Sequence, residues 1–236
     1  MGLHPHWAVY LQVLLTLHIA CGVVGFVCAP VALATVKGGK THRLWGKIYF
    51  WAMAGVAVTA LSLSFLLPIW FLAMVAVFSF YASFSGYRVL YLKDMYKGGR
   101  ARFVDWLAAG ITVASSLLLM VMGVLRPELM RVGVITVAGH PVSIVSVVFG
   151  FVGVRLGWRS VASFVKKPKH KMFWWFDHMQ GMIASYIAAM TAFSAVNLGH
   201  WFGAAWWVWL WPTILGVPAI AVWTRYYERK FAPKTA

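Results

Sequence analysis

Seven stretches of about 20 predominantly apolar residues follow one another along the 236-residue chain. An α-helix rises about 1.5 Å per residue, so each stretch is long enough to cross a hydrocarbon core roughly 30 Å thick. The stretches are apolar on all faces, whereas a helix at the surface of a soluble domain has one polar face. With 62% hydrophobic and 11% charged residues, the composition also excludes a soluble domain.

The chain is therefore predicted to be an all-α polytopic membrane protein that forms a single integral membrane domain over residues 1–236. Proline positions and changes in hydropathy set the expected helix ends. The seven predicted helices are about Trp7–Ala34, Leu44–Leu67, Pro68–Leu92, Phe103–Leu125, Val132–Leu156, Phe173–Val196 and Trp206–Tyr226.

Basic residues concentrate in alternate connections, which predicts the orientation of the chain in the membrane. The first, third and fifth connections and the C-terminal segment are rich in Lys and Arg, whereas the second and sixth contain none. The positive-inside rule then puts the N-terminus outside and the C-terminus in the cytoplasm of a bacterial cell, with the chain in the inner membrane. The net charge of +16 is assigned to topology and to anionic lipid headgroups, not to nucleic acid.

The five acidic residues all fall near predicted helix ends or in connections, so no carboxylate is expected at the bilayer midplane. They are Asp94, Asp105, Glu128, Asp177 and Glu228. An ion-coupled transporter usually needs an acidic group inside the membrane. The pattern therefore counts against that class of protein.

Small residues and aromatic residues predict how the helices are arranged. Stripes of Gly, Ala and Ser lie on the first, fifth and sixth helices, and such stripes permit close packing of backbones. We expect these three helices inside the bundle and the third and fourth at its periphery. Trp and Tyr near helix ends, Tyr49 and Trp209 among them, are interpreted as interfacial belts.

Four histidines repeat one placement in two halves of the chain. His18 and His140 lie within apolar stretches, and each is followed by a basic connection and then by His42 or His178. The layout suggests a weak repeat of 7–67 in 132–196, without sequence identity to support it. A neutral histidine can also be satisfied by a hydroxyl or a backbone carbonyl. His42 and His178 could equally meet lipid phosphate or pair with Asp177.

The sharper interpretation is that the histidines are axial ligands of haem b. Bis-imidazole iron needs one histidine from each of two facing helices in apolar surroundings. His18 with His140 would hold an outer haem, and His42 with His178 an inner one, with Arg43 and Lys47 as partners of the propionates. Helix counting makes His178 about one turn deeper than His42, which opposes the inner pair. A single haem or a single metal ion held by these histidines is also open.

Three other functions remain open. A zinc hydrolase is disfavoured because the chain has no HExxH motif and little acid near its outer histidines. A transporter or channel for a small neutral or anionic solute fits the small-residue stripes and the basic inner side. A structural or assembly subunit, or a homo-oligomer, would dock through its aromatic outer surface. A redox function implies a quinone or another electron partner, and enzymatic activity is left open.

Two segments resemble a family of uncharacterised bacterial predicted membrane proteins with seven helices. They are Leu17-His18-Ile19 with Lys37-Gly38-Gly39-Lys40-Thr41-His42-Arg43 and Gly46, and His178-Met179 through Ser185-Tyr186-Ile187 and Thr191-Ala192-Phe193 to Asn197. The resemblance covers most of the chain but implies no activity. The layout of paired histidines is also similar to that of transmembrane di-haem b-type cytochromes, in arrangement and not in motif.

Overall fold

The structure, a computed structural model, describes residues 5–130, 141–202 and 206–231. The described residues form seven long helices, and all seven are long and apolar enough to cross a membrane. They are α1 (Pro5–Ala34), α2 (Lys40–Leu66), α3 (Trp70–Arg88), α4 (Phe103–Leu125), α5 (Pro141–Val165), α6 (Phe173–Phe202) and α7 (Trp206–Phe231). The all-helical class of the described residues and the number of helices long enough to cross a membrane are as the hydropathy predicts.

The fifth helix ends later than the sequence predicts. The predicted end is Leu156, but the helix continues to Val165, because Gly157 packs against Val113 and Ala109 of α4 within the helix and the next proline is Pro168. The added turns carry Arg159, which pairs with Asp177 near the start of α6. The expected start at Val132 lies outside the described residues.

Helix α3 is the centre of the bundle, contrary to the expectation that it is peripheral. It packs against α2, α4, α5 and α6, whereas α1 packs mainly against α2 and α6. The large residues Phe71 and Phe78 of α3 fill the space between its neighbours. Helix α3 is buried because its large side chains fit against the smaller ones of its neighbours. The number of small residues on a single helix does not reveal this fit. The expectation that α1 lies inside was also wrong.

Glycines set the closest helix contacts. A side chain added at Gly181 of α6 would lie 2.8 Å from the Cα atom of Gly86 on α3, so the two backbones nearly touch. On α5, Gly150 and Gly153 lie against Ser116 of α4 in the same way. Close approach of this kind is the expected use of small residues in membrane helices.

Two aromatic residues assigned to interfacial belts are buried instead. Trp209 is 5% exposed, and its ring meets Phe71 and Phe149 in a core cluster. Tyr49 is 2% exposed and its hydroxyl is hydrogen-bonded to Ser185 of α6. A buried aromatic residue with a partner for its polar atom is stable inside a protein, so proximity to a helix end does not suffice to predict a belt.

Contacts between helix ends gather the basic connections at one end of the bundle, here called the basic end. It comprises the connections 35–39, 89–102 and 166–172 and the C-terminal end of α7. Arg88 at the end of α3 pairs with Asp105 at the start of α4, and Gln180 near the start of α6 bonds to Thr224 near the end of α7. The orientation of this end in the membrane stays a prediction.

The two hairpins of the suggested repeat pack differently. Helices α1 and α2 contact each other along much of their lengths, whereas α5 packs mainly on α4 and α6 packs mainly on α3 and α7. The repeat of 7–67 in 132–196 therefore stays a prediction about the placement of residues along the sequence.

Candidate functional site

His42 is held by the end of the preceding helix. It lies in the first turn of α2, and its Nδ1 is 2.9 Å from the carbonyl oxygen of Ala32 in the last turn of α1. The last four carbonyls of a helix lack a backbone partner within the helix, so the Ala32 carbonyl is open to side chains. It also accepts hydrogen bonds from the Thr35 hydroxyl at 3.0 Å and from Lys37 at 3.4 Å. A carbonyl can only accept, and Nδ1 must therefore carry the proton. Lys37 covers the same helix end through the carbonyls of Leu33 and Thr35, and burial lowers the pKa of Lys37.

His178 is held in the same manner by another helix end. It lies in the second turn of α6, and its Nδ1 donates to the carbonyl oxygen of Gly86 in the last turn of α3 at 2.7 Å. The neighbouring Asp177 pairs with Arg159 and does not pair with His178. The close crossing of Gly86 and Gly181 brings this carbonyl within reach of the ring.

The imidazole rings of His42 on α2 and His178 on α6 are neighbours in an edge-on arrangement. Their centroids are 6.2 Å apart and their planes make an angle of 80°. The depth difference of one turn expected from helix counting is only about 5 Å, so it does not keep the rings apart. With both protons on Nδ1, each neutral ring carries its lone pair on Nε2. Among the described residues, neither Nε2 has a hydrogen-bond partner.

Both rings line a cavity of about 350 Å³ at the basic end, here called the histidine cavity. Ala32, Tyr49, Leu90, Met182 and Tyr186 contribute to its mostly apolar wall. Part of this wall belongs to a buried cluster that seals the cavity toward the middle of the bundle. The size and the apolar lining with a few polar groups are those of a small-molecule site.

The two predicted propionate partners also line the histidine cavity. Arg43 and Lys47 are exposed, lie on α2 beside His42, and make its mouth positively charged. Gly46, on the same stretch of helix, has open space where a side chain would stand. Its missing side chain therefore enlarges the cavity next to His42.

The outer pair of histidines is described only in part. His18 is half-buried, and its Nδ1 lies 3.0 Å from the hydroxyl of Thr59 on α2. That hydroxyl already donates to the carbonyl of Gly55, so His18 donates to it and keeps its lone pair on Nε2. His140 lies outside the described residues. The pairing of His18 with His140 stays a prediction.

Comparison of the chain with protein-family models, curated proteins and solved structures gives no match. The chemistry of the site is therefore inferred from the residues themselves. Within the described ranges there is no group of three or more His, Cys, Asp or Glu side chains that could hold a metal ion.

The sequence did not indicate the groups that orient the histidines. Both are backbone carbonyls, Ala32 and Gly86, and a carbonyl has no residue-type signal. Tyr87, which lines the cavity and stacks on Phe50 at 4.4 Å, was also missed. The only available signal was position, and it pointed to Ala32 alone, which falls in the last turn of the predicted first helix. Gly86 lies six residues before Leu92, the predicted end of the third helix, and gave no such signal.

Proposed function

We propose that the protein is a membrane-bound b-type haem protein that takes part in electron transfer, with His42 and His178 as the axial ligands of one haem. The observation that carries the proposal is the neighbouring pair of rings, each with its Nδ1 proton bonded to a helix-terminal carbonyl. A second haem between His18 and His140 is the extended form of this proposal.

The spacing of the rings suits two ligands on opposite sides of one iron. A metal–nitrogen bond of about 2 Å on each side, plus the distance from each Nε2 to its ring centre, gives a centroid separation of roughly 6 Å. The observed separation is 6.2 Å. A histidine ligand also usually donates its other ring N–H to a carbonyl or carboxylate, which fixes its tautomer and orientation. Both rings meet this condition.

The absence of a third protein ligand within the described ranges also favours haem over a bare metal ion. Structural and catalytic zinc sites take three or four protein ligands. A porphyrin brings four nitrogens of its own and needs only the two axial ones. At about 350 Å³ the histidine cavity is at the small end of ligand pockets, so the polar edge of a haem would extend through its mouth. Arg43 and Lys47 lie there to pair with propionates.

When bound, the haem would supply reversible one-electron chemistry, and the chain would tune it. His42 and His178 would bind and orient the iron, and their bonds to Ala32 and Gly86 would raise the basicity of the imidazoles. The apolar wall around Tyr49 and Met182 would exclude water from the site. Electron donor and acceptor would be a quinol or another redox partner at the membrane.

The test is an absorption spectrum of the detergent-purified protein, oxidised and then reduced with dithionite, after expression with ample haem. We expect sharp reduced α and Soret bands at one haem or more per chain. His42→Ala and His178→Ala should each remove the inner haem. His170→Ala, which changes an exposed histidine on the connection between α5 and α6, is the matched control and should keep it. A wild-type protein that stays colourless after reconstitution with haem would refute the proposal.

The alternative function is a transporter or channel for a small anionic solute, and the exposed Arg43 and Lys47 at the cavity mouth favour it. The test is uptake of small radiolabelled anions into vesicles that contain the protein. If the wild-type protein has no haem bands but takes up an anion, and the double variant Arg43→Gln with Lys47→Gln loses that uptake, the transporter function would replace the first proposal. A structural subunit would give neither uptake nor haem bands.

A further inference from the structure

A second and larger cavity lies on the other side of α6, at the same end of the bundle. It measures about 630 Å³ and is lined by α3, α5, α6 and α7, and we call it the arginine cavity. The residues Asp177 and His178 are neighbours in sequence, yet Asp177 lines the arginine cavity and His178 lines the histidine cavity. Helix α6 therefore separates the two spaces, and the arginine cavity has no part in the proposed haem site.

Two ion pairs account for part of the charge in the arginine cavity. Arg88 binds Asp105 through both carboxylate oxygens, at 2.7 and 3.2 Å, and Asp105 is 1% exposed. Arg159 binds Asp177 and also Gln180, whose amide donates to Thr224 on α7. These contacts join α3 to α4 and α5 to α6 and α7, and they fix the walls of the cavity.

Two further guanidinium groups of the cavity have no partner among the described residues. Arg155 lies on α5 one turn before Arg159, and Arg225 lies on α7 next to Thr224. The remaining acidic residue of the lining is Glu228, one turn after Arg225 and exposed. Apart from the two ion pairs, the lining carries the positive charges of Arg155 and Arg225 and the negative charge of Glu228. One net positive charge is therefore left to bind an anionic group.

The part of the cavity farther from the basic end is lined by apolar residues. Val152, Ala184 and Ile220 line it, together with the exposed Phe151 on α5 and Val217 on α7, which we call its rim. Phe151 is 60% exposed and Val217 is 51% exposed, and both lie within spans long enough to cross the membrane. An exposed apolar side chain at this depth faces lipid, so the cavity is accessible from the hydrocarbon region of the bilayer.

We infer that the arginine cavity is a binding site for an anionic phospholipid of the leaflet at the basic end. The phosphodiester would lie between Arg155 and Arg225, and an acyl chain would enter through the rim formed by Phe151 and Val217. Arginine matches phosphate by bidentate hydrogen bonding, and basic pockets between membrane helices recognise lipid headgroups in this way. The inference is independent of the proposed haem.

The experiment is native mass spectrometry of the full-length protein in detergent, titrated with phosphatidylglycerol or with phosphatidylcholine of the same acyl chains. We expect the first phosphatidylglycerol to bind at least ten times more tightly than phosphatidylcholine. Arg155→Gln with Arg225→Gln should weaken it about 30-fold, because each basic residue near an anionic headgroup contributes roughly five-fold. Arg155→Lys with Arg225→Lys keeps both charges but loses the bidentate hydrogen bonds, so its affinity should fall between those of the wild-type protein and the glutamine variant.

The matched control is Lys166→Gln with Lys167→Gln, which removes the same charge from the exposed connection between α5 and α6 without touching the cavity. It should leave the affinity for the first phosphatidylglycerol within about two-fold, since neither lysine lines the cavity. Equal affinity for the two phospholipids in the wild-type protein would overturn the inference even if the variants do not fold. Equal weakening of phosphatidylglycerol binding in the control and in the arginine variant would overturn the inference too. So would displacement of phosphatidylglycerol by an equal concentration of oleate, because oleate is anionic but has no phosphate.

Discussion

The imidazole rings of His42 and His178 lie 6.2 Å apart with their planes at 80°, although 136 residues separate them in the chain. Each ring is fixed by the last turn of a different helix, α1 for His42 and α3 for His178. Backbone carbonyls therefore fix the orientation of each ring. This relationship gives the proposed haem a specific electronic signature.

The first prediction concerns that signature. When axial imidazole planes are nearly perpendicular, the two iron d orbitals that interact with them are close in energy, and a ferric low-spin centre becomes strongly anisotropic. We expect the ferric protein to give a low-spin electron paramagnetic resonance signal of this strongly anisotropic type. A rhombic signal typical of parallel imidazoles would contradict the geometry, and a high-spin signal would mean that one histidine is not a ligand.

The second prediction concerns the crossing of α3 and α6. Gly181→Ala would put a methyl group 2.8 to 3.0 Å from backbone atoms of Ala82 and Gly86, which cannot move independently of α3. We expect a loss of about 1–3 kcal/mol in the free energy of unfolding. Because the crossing also positions the carbonyl that holds His178, haem occupancy should fall. Gly110→Ala is the control, since an added methyl group there meets no atom within 4 Å. Unfolding in a detergent titration and the haem spectrum give the two readouts.

The third prediction compares the two ion pairs at the basic end. Asp105 is 1% exposed and also accepts a hydrogen bond from the backbone N–H of Arg102, so Asp105→Asn leaves Arg88 as a poorly solvated charge. We expect Asp105→Asn to lower the free energy of unfolding by about 3–5 kcal/mol. Asp177→Asn should lower the free energy of unfolding by only about 1 kcal/mol, because the side chain of Arg159 is 53% exposed and water can solvate it. Similar losses for the two variants, measured in the same detergent titration, would contradict the difference in burial.

The fourth prediction concerns the buried hydrogen bond between Tyr49 of α2 and Ser185 of α6. Tyr49→Phe should cost about 1 kcal/mol, because the partner hydroxyl still bonds to the carbonyl of Met182. Ser185→Ala should cost about 1–3 kcal/mol, because it leaves the tyrosine hydroxyl buried without this partner. The double variant should lose less than the sum of the two. Additive losses in this double-mutant cycle would mean that the bond does not couple α2 to α6.

The sequence by itself determined the class of the protein and the number of its spans. Membrane insertion depends on local hydropathy, so seven apolar runs suffice to predict seven helices, and alternate basic connections suffice to gather charge at one end. The same local signals placed His42 and His178 near the starts of their helices. They also predicted that His178 lies about one turn deeper than His42, from a count that assumes straight, parallel helices.

Only the tertiary structure decided which helix is central and which groups meet. Helix α3 is central because Gly86 and Gly181 permit its close crossing with α6, a property of two surfaces together and not of either sequence. That crossing brings the carbonyl of Gly86 to His178, and the turn after α1 brings the carbonyl of Ala32 to His42. Backbone carbonyls are the same in every residue. The tautomer and the orientation of both histidines were therefore decided by packing, which residue type does not encode.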